Sequence, residues 1–431
     1  IRITLRAPVP GWAQPAMGVR RLRPERSTDE PSPAPSPMTD EPTRIGDARV
    51  REIYWQGMLE GETPDHPVSF EALREAAREA MRPEGWAYVH GGAGSEETFE
   101  RGKDFSTWRI VPRMLRGVES RDLTVQMLGR EFAYPLALTP LGVQSLLHDD
   151  AEVATARAAA ALEVPLVLSS LSSTDMETVA ELMGSVPKWF QFYWSSDEDI
   201  AVSFLERAEA AGYDAIVVTV DAPILGWRER LLNRGYYPFL DGEGIANYVT
   251  DPAFHTRLGV GPPEEPEAAV EQFLDIFGDA SLTWDDLAFI REHTDLPIVI
   301  KGILDPADAV RAIDHGADAI GVSTHGGRQV DGSITAIEAL PAIADAVDGE
   351  VPITFDSGVR RAQHMYKALA LGADLVMLGR PYAYGLAAGG EAGVRAVLRN
   401  LLAEFDLTMG LSGRRSIDEI DRDSLRRATE L

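Results

Sequence analysis

Eight short apolar runs, most rich in β-branched residues, recur along this chain between Ala-rich stretches of helical spacing. The runs are 135–139, 165–170, 189–193, 215–221, 297–302, 319–325, 352–358 and 375–380. Amphipathic stretches at 152–162, 200–211, 306–315 and 362–371 lie between them. Buried strands alternating with helices are the pattern of a parallel sheet covered on both faces. Eight of them predict closure into an α/β fold of the (β/α)8 TIM-barrel type. A doubly wound open sheet is the alternative, disfavoured because no G-x-G-x-x-G turn follows the first run.

Ahead of the barrel, Val68 to Met81 has helical spacing, with Phe70, Leu73, Ala77 and Ala80 on one side, and predicts an N-terminal helical extension. Residues 1–37 differ from the rest, with six arginines against three acids and eight prolines. That composition cannot bury a face and predicts a disordered or extended leader. It also lacks the apolar block of a secretory signal. Met38 follows at once, so translation is expected to begin there, with 38–431 as a single domain. One connection is abnormal: between the fourth run and the helix near Trp284, residues 222–284 form a long excursion rich in Gly and Pro. Long βα excursions usually cover a site, so a lid at about 229–280 is expected, with simple decoration as the alternative.

Charge and composition exclude several functions. There are 41 basic against 68 acidic side chains, a formal net charge of −27. Nucleic acid, which needs clustered Lys and Arg, is therefore not an expected partner. No apolar run approaches the length of a membrane span, and a cytoplasmic location is expected. Without cysteine, disulfides, thiolate nucleophiles, cysteine-ligated zinc and iron–sulfur clusters are excluded, and no metal site is expected. Only Lys103, Lys188, Lys301 and Lys367 are lysines; the other 37 basic residues are arginine. Acidic excess with so little lysine fits a halophilic protein kept soluble in concentrated salt. Each surviving lysine is correspondingly informative.

In a barrel, function sits where strands end and βα loops begin. The polar residues there are Ser169, Gln191, Tyr193, Thr219, Asp221, Lys301, His325, Arg328, Asp356 and Arg380. Strand capping accounts for Ser169 or Thr219, but poorly for a lysine, a histidine and arginines on one face. The strongest segment is Ser323-Thr-His-Gly-Gly-Arg-Gln329. Its paired glycines permit close backbone approach, His325 can act as general base, and Arg328 offers a fork for a carboxylate. Asp221 can orient His325 and stabilise its protonated form. Arg228 is a candidate second carboxylate ligand, or else a surface arginine. Phe355-Asp-Ser-Gly-Val-Arg-Arg361 and Leu378-Gly-Arg-Pro381 end the seventh and eighth runs, where barrels of this type bind phosphate.

Four motifs carry a resemblance: Ser-x-His-Gly-Gly-Arg-Gln, Asp-Ser-Gly-Val-Arg-Arg, Lys-Ala-Leu-Ala-Leu-Gly-Ala and Gly-Arg-Pro. Over about residues 50–425 the chain resembles the FMN-dependent L-2-hydroxy-acid oxidases and dehydrogenases. Within that family it looks most like lactate 2-monooxygenase, through Tyr88-Val-His-Gly-Gly-Ala-Gly94, Gly226-Trp-Arg228 and Asn247-Tyr-Val-Thr-Asp-Pro252. The resemblance implies that His325 takes the hydroxyl proton, that Asp221 stabilises the imidazolium, and that Tyr193 contacts the substrate hydroxyl. It implies carboxylate binding by Tyr88, Arg228 and Arg328. Lys301 is implied beside the flavin N1–C2 carbonyl, Ser169, Gln191 and Thr219 on the ring, and the backbone of Pro140, Leu141 and Gly142 against it. Ser323, Asp356, Gly358, Arg360, Gly379 and Arg380 complete the implied cofactor site. Three positions depart from the family pattern: Thr324 stands where Asn is usual, Leu171 where a bulky residue is frequent, and Thr139-Pro140 where Ala-Pro is usual.

The implied activity is oxidation of a short L-2-hydroxy acid, with L-lactate as substrate and O2 or another acceptor as partner. A monooxygenase gives acetate, CO2 and water, an oxidase gives the 2-oxo acid and peroxide, and a dehydrogenase passes electrons elsewhere. The family also implies a homotetramer. A type 2 isopentenyl diphosphate isomerase shares barrel and FMN but needs no carboxylate trio, and inosine monophosphate dehydrogenase requires a cysteine that is absent. An inactive flavoprotein scaffold is expected to have lost His325 or Arg328.

Overall fold

The computed structural model of the protein describes residues 44–258 and 266–430. The expected leader 1–37 and start at Met38 lie outside the described residues. Eight parallel strands close a barrel: β1 (Leu136–Leu138), β2 (Leu166–Ser169), β3 (Lys188–Phe192), β4 (Ala215–Thr219), β5 (Ile298–Ile303), β6 (Ala319–Val322), β7 (Ile353–Phe355) and β8 (Leu375–Leu378). Closure is made by β8 on β1, pairing Val376 with Leu136 and Leu378 with Leu138. Each strand overlaps an expected run, with β3 starting one residue before its run at Lys188 and β5 ending one residue after its run at Ile303. Several runs outlast their strands, because Asp221, His325 and Gly358 have already left the ladder to face the loops.

The pleat sorts each strand with period two. Leu136, Leu138, Leu166, Leu168, Phe190, Phe192, Ile216 and Val218 join the core between sheet and helices. Ala137, Val167, Trp189, Ala215, Val217, Val299, Ala319, Leu375 and Met377 form a second cluster inside the barrel. A hairpin, Val125–Met127 paired with Arg130–Phe132, adds Met127 and Phe132 to this inner cluster. The Phe132 ring meets that of Trp189 at 5.9 Å. Continuing the same parity past the apolar residues gives Ser169, Gln191, Thr219, Lys301, Ser323 and, from buried Thr354, Asp356. The topmost inward layer of the barrel is therefore polar.

Helices Ala151–Ala160, Glu198–Ala210, Pro306–Asp314 and Ala362–Ala370 stand where amphipathic stretches were expected. The N-terminal extension contains helices Ile45–Trp55, Phe70–Ala80, Pro83–His90 and Glu97–Arg101. Ser69 caps the second, its Oγ accepting from the Ala72 N–H at 3.3 Å. Leu73, Ala77 and Met81 are buried, whereas Ala80, expected on that face, is exposed. Steps of four from Leu73 reach Met81 and pass Ala80 by.

The described part of the excursion between β4 and β5 forms a packed body despite its Gly/Pro-rich composition. It carries helical segments Glu229–Leu232, Pro238–Asp241, Ala246–Val249, Pro252–Leu258 and Pro266–Ile276. Tyr248 meets Phe273 at 4.9 Å and Phe204, on the barrel's flanking helix, at 4.8 Å. Asn247 ties the body to the loop after β2: its Oδ1 accepts from the Met176 N–H at 2.8 Å. Its Nδ2 donates to the Ser170 carbonyl at 3.1 Å. No helix among the described residues is long and apolar enough to cross a membrane.

Candidate active site

Above the polar layer lies a cavity of about 320 Å³. His325 reaches it from a turn in which His325, Gly326 and Gly327 all have positive φ, at +54°, +67° and +73°. A non-glycine residue there is strained, and hydrogen bonds hold it. The His325 N–H donates to Ser323 Oγ at 2.9 Å, and the Thr324 and Gly326 N–H groups donate to Ser357 Oγ at 3.1 and 3.0 Å. Gly327 is needed because a Cβ would press on the Phe99 backbone at 2.7 Å.

The ring points one nitrogen at Asp221 and the other at the cavity. His325 Nδ1 and Asp221 Oδ1 are 2.7 Å apart, and Nε2 faces the Tyr193 hydroxyl at 3.4 Å. Gly302, at φ +114°, makes room for Asp221, whose Cβ would lie 2.6 Å from any Cβ there. Burial lowers the pKa of His325 even though Asp221 opposes the shift. Burial alone would raise the Asp221 carboxyl, but His325 and Lys301 bring it below its usual range. Near neutral pH the pair is thus an uncharged imidazole on a carboxylate, the form of a general base. Burial pushes the Tyr193 phenol up, which keeps it a donor.

Four arginines, Arg380 buried and Arg228, Arg328 and Arg360 partly buried, surround the cavity without a carboxylate partner among the described residues. Arg328 Nη1 donates to the Tyr88 carbonyl, and its guanidinium lies 4.9 Å over the Tyr88 ring. Arg228 donates to the Arg328 carbonyl at 3.3 Å and to Gln329 Oε1 at 3.0 Å. Arg380 donates to the carbonyls of Val89, Gly326 and Gly91 at 2.9, 3.0 and 3.0 Å. Arg360 reaches its neighbour's carbonyl at 2.7 Å, and its Nε is buried with no partner among the described residues. Burial, with Arg228 nearby, pushes Arg328 down to about 9; burial, with Arg380 nearby, pushes Arg360 down to about 10. Elsewhere buried guanidiniums find acids, as Arg207 does on Asp251 at 2.9 Å. These four form two places prepared for anions supplied from outside.

The floor between them is polar and incompletely bonded. Lys301 Nζ donates to Ser323 Oγ at 3.0 Å and lies 3.3 Å from Asp356 Oδ2, while Ser323 Oγ donates to Asp356 Oδ1 at 2.8 Å. Burial works against the Lys301 charge, yet Asp356 and Asp221 raise its pKa and keep it protonated. Ser169 Oγ donates to Gln191 Oε1 at 3.0 Å, while Gln191 Nε2 and Thr219 Oγ1 are buried with no partner among the described residues. Each orphan costs about 1–3 kcal/mol, so a ligand with matching polar edges is expected there. At the Arg360 end, Gly358 has φ +87°, and a Cβ on it would collide with the Gly102 carbonyl. Gly379 leads into the helix Arg380–Ser412, whose N-terminus favours a phosphate. A ring with hydrogen-bonding edges, carrying a phosphate tail, fits this donor set.

The structure brings Tyr88, Pro140, Leu141, Gly142, Ser169, Tyr193, Thr219, Arg228, Lys301, His325, Arg328, Asp356, Gly358, Arg360, Gly379 and Arg380 to the cavity wall. Gln191, Asp221 and Ser323 stand behind that wall and act on it through Ser169, His325 and Lys301. Sequence reasoning missed Ser357, which steadies the His325 turn at φ +79°; its place between Asp356 and Gly358 was the available signal. It also missed Tyr237, Phe239, Leu274 and Phe277, which enter the wall from the inserted body and follow no period.

The chain matches the family model for FMN-dependent dehydrogenases over residues 77–427. It is 39% identical to an FMN-dependent alpha-hydroxy acid dehydrogenase of Penicillium citrinum, over 90% of this chain and 97% of the relative. It is 41% identical to an L-lactate oxidase of Lysinibacillus sphaericus, over 87% and 95% respectively. Among solved structures, a lactate oxidase of Pediococcus acidilactici superposes with TM-score 0.76 at 35% identity, over 85% of this chain and 96% of that one. A mandelate oxidase superposes with TM-score 0.73 at 36% identity, over 84% and 98%. The Gly358→Ala variant is expected to bind FMN at least about tenfold more weakly, a cost of about 1.4 kcal/mol. Fluorescence titration with unchanged circular dichroism checks this, and unaltered affinity would contradict the account of the turn. The chain belongs to the FMN-dependent α-hydroxy-acid oxidoreductases, and FMN is its cofactor.

Proposed function

We propose that the enzyme oxidises a short L-2-hydroxy acid, L-lactate, and with dioxygen releases acetate, carbon dioxide and water. The carrying observation is the Arg228 and Arg328 pair, without a carboxylate partner among the described residues, beside a neutral His325 backed by Asp221. The substrate carboxylate takes the missing counter-charge between the two guanidiniums, with Tyr88 completing the grip. Its hydroxyl then lies between Tyr193 and His325 Nε2, and His325 accepts the hydroxyl proton. Asp221, on Nδ1, holds the ring's orientation and stabilises the imidazolium that forms.

Bound FMN supplies the two-electron acceptor for the α-hydrogen. Pro140, Leu141 and Gly142 would lay backbone against the ring, while Ser169, Gln191 and Thr219 would meet its polar edges. Lys301, fixed by Ser323 and Asp356, would hold a permanent positive charge beside the ring and favour the negative charge it takes up with the electrons. Asp356, Gly358, Arg360, Gly379 and Arg380 hold the ribityl and phosphate.

The monooxygenase outcome draws support from the inserted body. Tyr237, Phe239, Leu274 and Phe277 wall the cavity, and their packing favours retention of pyruvate with the peroxide formed beside it. Together these give acetate, carbon dioxide and water, which balances the overall consumption of one lactate and one dioxygen. The acid-rich, lysine-poor composition supports work in concentrated salt.

Turnover of L-lactate in high salt and air, with product analysis, tests the reading. Acetate and carbon dioxide are expected. Pyruvate with peroxide makes the enzyme an oxidase, and reduced flavin that ignores air makes it an acceptor-linked dehydrogenase. The His325→Gln variant should retain FMN yet lose about 10²–10⁴-fold in flavin reduction; reduction at the parent rate would remove His325 from the mechanism. Because burial lowers the His325 pKa, its basic form persists further into acid than that of an ordinary histidine. The acid limb of kcat/KM is accordingly expected below about pH 6.5, and a limb above that value would contradict the assignment.

A further inference from the structure

Gln329 does not line the cavity, yet all four hydrogen-bonding capacities of its amide are spent on the site's framework. Its Oε1 accepts from Arg228 Nη2 at 3.0 Å and from the Gly226 N–H at 3.3 Å. Its Nε2 donates to the carbonyls of Asp221 and Ile224 at 2.9 and 3.0 Å. Two of these partners can only donate and two can only accept, so the orientation of the amide is fixed by the network. The 222–228 segment also lies flush on the backbone of Arg328 and Gln329. A Cβ on Gly226 would come within 2.8 Å of the Gln329 carbonyl. Further along, the Gly94 N–H donates to the Trp227 carbonyl at 2.8 Å.

We propose that Gln329 is a positioning residue that sets Arg228 and Asp221 at one distance from each other, so that substrate carboxylate and base are aligned by a single side chain. This rests on the function proposed above. Arg228 and Asp221 are seven residues apart and leave β4 in the same loop, with no regular structure between them. Without the amide, Arg228 keeps only its 3.3 Å bond to the Arg328 carbonyl. The loop also loses its tie at Asp221, on which the 2.7 Å contact with His325 depends. A misplacement of the order of 1 Å in such a site costs about a hundredfold.

Two variants separate positioning from folding. Gln329→Met keeps the shape and removes all four bonds; Gln329→Glu keeps the bonds to Oε1, loses both donors and sets a carboxylate on Arg228. FMN content and melting temperature are measured alongside L-lactate kinetics and the perturbation of the flavin spectrum by pyruvate. With FMN content and melting close to wild type, Gln329→Met should raise KM at least tenfold and slow anaerobic flavin reduction. Its acid limb should move to lower pH, because Asp221 no longer raises the His325 pKa as fully. Gln329→Glu should bind pyruvate more weakly than Gln329→Met, since its own carboxylate occupies Arg228. Unchanged KM and acid limb in both variants overturn the proposal, as does a loss confined to FMN content or melting. If L-lactate fails to reduce even the wild-type flavin, the parent reading falls instead. Pyruvate binding by the two variants then judges the clamp alone.

Discussion

Uncompensated positive charge at the C-terminal mouth of the barrel governs the rest of this site. A chain with 68 acids has ample means to neutralise its 41 bases, yet Arg228, Arg328, Arg360 and Arg380 rest on carbonyls and amides. Burying a guanidinium without a counter-charge is unfavourable, and the lowered pKa values of Arg328 and Arg360 express that cost. In the proposed function two anions relieve it: the phosphate of FMN at one end and the substrate carboxylate at the other. Lys301 differs, because Asp356 and Ser323 hold it in place and its charge is permanent. The site thus separates guanidiniums without a carboxylate among the described residues from a lysine whose charge is held in place by its own partners.

The same separation bears on the composition. A net charge of −27 repels anionic substrates at long range. Salt shortens that reach to about 3 Å at 1 M, and buried guanidiniums are screened far less than surface acids. Concentrated salt therefore removes the unfavourable field while leaving local recognition largely intact. The proposed halophilic character and the proposed carboxylate substrate are compatible for this reason.

Much of the fold was legible in the sequence because parallel strands buried on both faces are short apolar runs, and these runs repeat eight times. The parity of those runs also carried the site. The alternation that puts Val167, Trp189, Val217 and Val299 inside the barrel puts Ser169, Gln191, Thr219 and Lys301 directly above them. His325 and Asp221 were legible as a pair because each closes a strand run. The inserted body was not. Its helices are short, and their partners, such as Tyr248 with Phe204, come from elsewhere in the chain. Composition therefore suggested a loop where tertiary packing makes a core. Gln329 was visible within the motif but silent, since its hydrogen bonds exist only once the loop after β4 folds back on it.

The central claim is that a carboxylate held by Arg228 and Arg328 presents its neighbouring hydroxyl to His325. Anaerobic mixing of the yellow holoenzyme with L-lactate, D-lactate and L-lactamide, followed by flavin absorbance, tests this directly. The account predicts rapid bleaching by L-lactate and little by its enantiomer or by the amide, which lacks the anion. Equal bleaching by the amide, or none with any short L-2-hydroxy acid, would contradict it.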